Sequence, residues 1–257
     1  MIKLFYLPVE NFGIDKILED IVKLWSGPTG FFHIVSINPE NVILSRKNLE
    51  FRKVILSAQM HITDGIGTVL AAQILTGRHL TRLTGADLMG HLLTAAGKER
   101  LDVLLIGGRP NLAADLAKCY QRSYPKANFQ GITGFANIIH PSESEEQMVF
   151  AIVASLKPRL ILAAFGSPWQ ELWFAKNSKR FGNAVCMGVG GGFDYAGGLI
   201  PRAPRFMRQT GLEWLFRLIV QPRRLKRQIS LVEFVFLVIL EKIRRLRKKY
   251  YSETIGE

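Results

Sequence analysis

Four short stretches of this chain are apolar at nearly every position, and each stops on a glycine or a helix-capping residue. Phe31-Phe32-His33-Ile34-Val35-Ser36-Ile37 runs into Asn38-Pro39-Glu40, a cap followed by the proline favoured at the first helical position. Leu101-Asp102-Val103-Leu104-Leu105-Ile106 meets Gly107-Gly108, and a helical spacing of Leu112, Leu116 and Cys119 predicts a helix over 110–124. Arg159 to Phe165 meets Gly166-Ser167-Pro168, and Ala184 to Met187 meets Gly188-Val189-Gly190-Gly191-Gly192. A strand with one face in water alternates apolar and polar residues. Continuous apolar runs separated by helices instead fit strands buried on both faces. The expected fold is therefore α/β, a mostly parallel sheet with helices on both faces (Rossmann-like). Ligands of such sheets bind beyond the carboxyl ends of the strands, where the glycines collect here.

A hydrophobic content of 48% over 257 residues is enough for a continuous core, which excludes general disorder. Cys119 and Cys186 are too few for a disulfide framework or a four-ligand zinc site. Met1 to Tyr6 runs into Pro8 and Glu10 without the long apolar core of a signal peptide, so a reducing cytosol is expected.

Glycines after buried strands have two readings. They let backbone N–H groups approach a phosphate at a helix start, or they simply make tight connections. None of these turns has the G-x-G-x-x-G dinucleotide fingerprint, and no G-x-x-x-x-G-K-[ST] occurs. The pattern thus fits a nucleotide but supports neither a nicotinamide nor a P-loop site. Among the acids, Asp64 precedes Gly65-Ile66-Gly67 and an apolar helical pattern. It is either an N-cap carboxylate or a general base in the cleft. Asp87 reads as a cap or first-turn acid. Gly166-Ser167-Pro168-Trp169-Gln170-Glu171 has the polar density of a substrate loop and is not a hydrolase elbow, since G-x-S-x-G is missing there. Gln170 and Glu171 could bond a sugar or base, or Glu171 could be a first-turn acid. His33, His61, His79, His91 and His140 show no metal-ligand spacing, and no Asp-x-Asp occurs to cradle a cation on a diphosphate. No metal site and no cofactor are expected.

Charge divides the chain. Ten arginines and four lysines against three glutamates between Arg202 and Lys249 give that stretch +11 of the total +13. The expected organisation is a core over 1–201 and a basic helical appendage over 202–257. Within the appendage, Gly211 to Leu218 reads as a short amphipathic helix, and a longer helix is expected from about Arg223. Ile229 to Leu240 is apolar apart from Ser230 and Glu233, too short to span a bilayer, and basic clusters flank it. That pattern suits a helix lying among anionic head groups. The other readings are a helix docked on the body and a homo-oligomer contact. Nucleic acid is the alternative partner for so basic a segment, but an Arg/Lys-rich stretch is a weak motif and the body motifs would then be idle.

The chain resembles the WecG/TagA/CpsF family of bacterial glycosyltransferases (glycosyltransferase family 26). The resemblance lies in Asn38-Pro39-Glu40, Asp64-Gly65, Arg82 with Gly85-Ala86-Asp87-Leu88, Gly107-Gly108, the loop from Gly166 to Glu171, Gly188 to Gly191, Arg202-Ala203-Pro204, and Gly211 to Arg217. It implies an inverting, metal-independent transfer from a UDP-sugar to a polyprenyl-diphosphate-linked saccharide in cell-surface polysaccharide synthesis. The donor sugar would be N-acetylmannosamine, its uronic acid or glucose, and the enzyme would be cytoplasmic, peripheral at the inner face of the bacterial cytoplasmic membrane. Asp64 matches the family's proposed base. Asn38 and Arg82 match polar cleft residues, Gln170 matches the glutamine of the Gly-Ser-Pro loop, and Ser36 keeps a hydroxyl where some relatives have threonine. Gly107, Gly108, Ser167, Glu171, Gly190 and Gly191 fall in the matching turns. Arg217, Arg224 and Arg227 match the appendage arginines that close over the site and meet the diphosphate. Trp169 stands where the family commonly has lysine.

Overall fold

A computed structural model describes residues 2–222 and 225–254, leaving aside the side chains of 226–228, 249 and 251–254. Strands β1 (Ile2–Leu4) and β2 (Leu7–Val9) form a small antiparallel ribbon, followed by α1 (Ile14–Trp25). The main chain then runs β3 (Phe32–Ile37), α2 (Pro39–Lys47), α3 (Leu49–Ser57), β4 (Met60–Thr63), α4 (Ile66–Thr76) and α5 (Gly85–Lys98). Next come β5 (Asp102–Gly107), α6 (Leu112–Ser123), β6 (Asn128–Ile132), α7 (Glu143–Leu156), β7 (Leu160–Ala164), α8 (Trp169–Lys176) and β8 (Val185–Gly188). Short helices α9 (Gly192–Ala196), α10 (Arg205–Gln209) and α11 (Glu213–Val220) lead to the long α12 (Leu225–Thr254).

Strands β3 to β8 make one parallel sheet in the order β4-β3-β8-β7-β5-β6. The expected α/β fold is the one observed, and the pleat shows why the apolar runs had to be continuous. Ile34, Met60, Val103, Leu105, Leu162 and Met187 bury one face against α1, α5 and α6. Their strand neighbours Val35, Ile37, Leu104, Ile106, Ile161 and Cys186 bury the other. With helices on both faces, the central strands β3, β5, β7 and β8 keep most of their positions away from water.

Register then places the chain's functional loops. Ile37 pairs with Thr63, Ala163 with Gly188, Ala164 with Gly107, and Ile34 with Met187, so five strands end within about two residues of one another. The chain leaves β5 toward β6 and β7 toward β8, in opposite directions across the sheet. A crevice opens where such connections diverge. Local chemistry starts the helices that border it: Asn38 Oδ1 accepts the Asn41 N–H at 2.8 Å, with Pro39 at the first position of α2. Thr84 caps α5 through the Asp87 N–H at 3.1 Å.

The basic carboxyl-terminal segment is tied to the body. Phe234 and Val238 of α12 are buried in the cluster that contains Leu4, Val9, Ile37 and Val69, and Phe5 meets Phe234 edge to face. Arg202 donates to Asp87 Oδ1 at 2.6 Å and lies 3.7 Å from Glu213, linking α5 to α11.

Candidate active site

A cleft of about 1240 Å³ lies beyond the carboxyl ends of the strands. That exceeds the ~300–1,000 Å³ of ordinary small-molecule sites and leaves room for two substrates. Its floor is built by the residues that follow β3, β4, β5, β7 and β8, and α11 and α12 close one side.

Asp64 sits at the inner end, one residue past β4, with its N–H donating to the Ile37 carbonyl at 3.0 Å. The N-cap of α4 is Gly65, with φ 86°, and that helix has no side-chain cap. The Asp64 carboxylate therefore does not cap α4. It accepts a hydrogen bond from the Gly85 N–H and faces the cleft. Burial lifts its pKa to about 6; the Gly85 bond opposes the shift, Glu213 adds to it, and Arg217 and Arg82 counter it. A Cβ at Gly85 would lie 3.3 Å from Ser36 Oγ and 3.7 Å from Asp64 Oδ2, so the hydroxyl and the carboxylate flank one small space. A carboxyl group with this proton affinity, in reach of a cleft, can take a proton from an alcohol near neutral pH.

Asp87, three residues into the same turn, is held differently. Burial works against its charge, but hydrogen bonds from Thr84 and Arg202 outweigh it and keep its carboxyl below the usual range. It is the first-turn acid that its sequence position implied.

The other expected site residues converge on this cleft, with three exceptions. Ser36, Asn38, Arg82, Gly108, Ser167, Gln170, Glu171, Gly190, Gly191 and Arg217 all line it. Gly107 instead backs onto Phe165, whose Cε1 would be 2.7 Å from an added Cβ, and its φ of 91° suits only glycine. Arg224 and the side chain of Arg227 lie outside the described residues. Trp169 is exposed and off the cleft wall.

Three of the lining residues, Ser167, Gln170 and Glu171, are bonded to one another. Gln170 is buried, and its Oε1 accepts the Gly166 and Gly190 N–H groups at 3.0 and 3.1 Å. Its Nε2 donates to Glu171 Oε1 at 2.8 Å, and Ser167 Oγ donates to the same oxygen at 3.0 Å. Gln170 is thus a strut between two glycine turns, and a Cβ at Gly188 would overlap its amide. Glu171 Oε2 is buried without a hydrogen-bond partner, and burial holds that carboxyl above the usual range. Replacing Gln170 by methionine should therefore loosen both turns. We expect a loss of about 1–3 kcal/mol, the usual consequence of leaving buried donors unpaired, measured by denaturant unfolding.

Cations line the cleft from both the body and the carboxyl-terminal segment. Arg217 Cζ lies 4.4 Å from the Tyr195 ring centroid, and its Nη2 donates to the Gly191 carbonyl at 3.4 Å. Arg82 donates to the Arg208 carbonyl. Sequence reasoning missed four other charged residues on the wall: Glu40, Glu213, Arg109 and Asp194, the last two paired at 3.2 Å. Glu213 lay inside the Gly211–Arg217 motif, where it was counted only as a charge.

The family model described as "Glycosyl transferase WecG/TagA/CpsF family" matches residues 2–248. The chain belongs to that family. It is a glycosyltransferase of cell-surface polysaccharide synthesis, and the match extends through most of α12. The glycosyltransferase has no helix, among its described residues, long and apolar enough to cross a membrane.

Proposed function

We propose that this glycosyltransferase moves a sugar from a UDP-sugar to a polyprenyl-diphosphate-linked saccharide, with inversion and without a metal ion. The observation that carries the reading is the placement of Asp64, a carboxylate of raised proton affinity facing a cleft with room for two substrates, whose lining also holds Arg217. Asp64 takes the proton of the acceptor hydroxyl as its oxygen attacks the anomeric carbon. The bond to UDP breaks on the opposite face, and Arg217 together with turn N–H groups receives the charge on the departing diphosphate. Arg224 and Arg227 add to that charge on the reading the family resemblance supports. Ser36 and Asn38 orient the acceptor or the sugar.

The appendage brings the cleft to a bilayer. Val232, Phe236, Ile239, Ile243, Leu246 and Tyr250 form an exposed stripe on the side of α12 away from the buried Phe234 and Val238. Arg244, Arg247 and Lys248 flank it. An apolar stripe rimmed by cations suits the interface of an anionic membrane.

UDP release measured across a panel of UDP-sugars, with short-chain prenyl-diphosphate mono- and disaccharides as acceptors, tests the reaction. Turnover that needs both substrates is the expected result, and no release with any pair would overturn it. Flotation with anionic liposomes, set against a duplex gel shift, separates a membrane partner from nucleic acid.

A further inference from the structure

Helix α4 begins beside Asp64 and has two apolar faces. Val69, Ala72 and Leu75 enter the core, while Leu70 and Ile74 are 53% and 46% exposed. An amphipathic surface helix needs only the first face. The second has a neighbour in α12. A Cβ at Gly67 would be 3.9 Å from Leu231 Cδ1, Lys242 Nζ donates to the Ile74 carbonyl at 2.8 Å, and Arg245 Nη1 donates to the Leu75 carbonyl at 2.7 Å. The two helices therefore run side by side in the same direction, away from the catalytic carboxylate. Along α4 the contacts of this seam run from Gly67 to Ile74, about 10 Å at 1.5 Å per residue.

Its inner end belongs to the cleft. Ile66, Leu70, Leu218, Val220, Leu231 and Val235 line the same cavity as Asp64 and Arg217, and Val235 is 51% exposed. The cavity is thus polar where the strands end and apolar where α4, α11 and α12 meet. Water-facing leucine and valine inside a cleft mark a surface meant to be covered. What covers it must be joined to a group that reaches the polar end.

We propose that the seam between α4 and α12 seats the first isoprene units of the acceptor lipid, with Leu70 and Val235 as its main contacts and the basic pair Lys242 and Arg245 at its outer end. The inference rests on the lipid-diphosphate acceptor proposed above and adds where its hydrocarbon lies. The lipid then passes from the cleft along α12, whose outer stripe is itself apolar. The enzyme grips the tail as well as the diphosphate, so prenyl length becomes part of acceptor recognition.

Binding of prenyl diphosphates without sugar tests this independently of the reaction. Calorimetry in detergent-free buffer, below the micelle concentration, would compare isopentenyl with farnesyl diphosphate on the full chain. We expect at least about tenfold tighter binding of farnesyl diphosphate, since each added methylene in an apolar pocket is worth that order, with a negative heat-capacity change. In the double variant Leu70→Gln and Val235→Gln, at two exposed positions, the length advantage should fall to within about twofold. Equal binding of the two ligands by the parent, or an advantage that survives in the variant, would overturn the proposal. So would an advantage lost only together with self-association, seen by sedimentation, because a second copy would then be the occupant. A length advantage alongside no UDP release from any substrate pair would count against the reaction and leave the seam standing.

Discussion

Asp64→Asn is expected to lower kcat by about 10²–10⁴, the usual contribution of a general base, while the protein becomes more stable. The two effects share one cause. In the folded protein burial holds the Asp64 pKa at about 6, above the ordinary aspartate value of 3.8 expected in the unfolded chain. The native state therefore binds more protons than the unfolded state between these values, and stability falls as pH rises through that window. Above pH 6 the ionised carboxylate is a burden on the fold of roughly 3 kcal/mol, from the shift at 1.36 kcal/mol per unit. Asparagine keeps the shape and removes the charge, so its variant should melt at a higher temperature than the parent at pH 7.5 and at nearly the same temperature at pH 4. In the parent, kcat/KM should decline below about pH 6 as Asp64 takes up its proton. A variant that turns over at the parental rate would remove Asp64 from its role. A variant that is inactive but destabilised would make it structural.

The sheet was legible because its central strands are buried on both faces, and burial of that kind leaves a mark in composition alone. Strands β3, β5, β7 and β8 each lie within a residue or so of the apolar runs that announced them. The edge strands left no such mark. β4 is only Met60–Thr63 and includes His61, which is buried with its Nε2 2.6 Å from the Ile55 carbonyl. β6 is a half-exposed edge with a glycine, Gly131, that has Ala113 packed against it. The ribbon of β1 and β2 is three residues a side and contains Pro8. Short, edge or polar strands depend on partners distant in the chain, and no local pattern records those partners.

The lining of the candidate cleft was largely legible in the sequence motifs, the bonds among its residues less so. The residues of the matching motifs gather in one cleft because parallel strands in register deliver their carboxyl ends to one edge of the sheet. Which of them are committed to each other was hidden. Gln170 spans 20 residues to hold Gly190, and Arg202 spans 115 to reach Asp87. The charge step at residue 202 marked the appendage but not its anchorage, since Phe234 and Val238 look like any other residues of an apolar helix until the face they bury is known.

Arg217 carries the second large effect. Its guanidinium lies over Tyr195 and beside Gly191, and its charge favours the ionised form of Asp64. If it receives the diphosphate as UDP departs, Arg217→Ala should lower kcat by about 10²–10³, the range for removing one preorganised donor from a developing anion. KM for the donor should change much less, because the interaction strengthens as the bond breaks. Arg217→Lys restores a charge but not the planar fork that grips two phosphate oxygens, so it should recover only part of the rate. Free guanidinium added to the alanine variant should recover more than an alkylammonium does. A merely structural arginine, one that packs on Tyr195 and does nothing else, would also lose activity through a loosened α11. It would not respond to guanidinium, however, and it would leave the pH profile where it was. Losing the real cation removes an influence that keeps Asp64 ionised, so the acid limb of kcat/KM should move to higher pH in Arg217→Ala. An alanine variant with an unshifted acid limb and no rescue would restrict Arg217 to packing and leave the departing diphosphate to the backbone donors of the glycine turns.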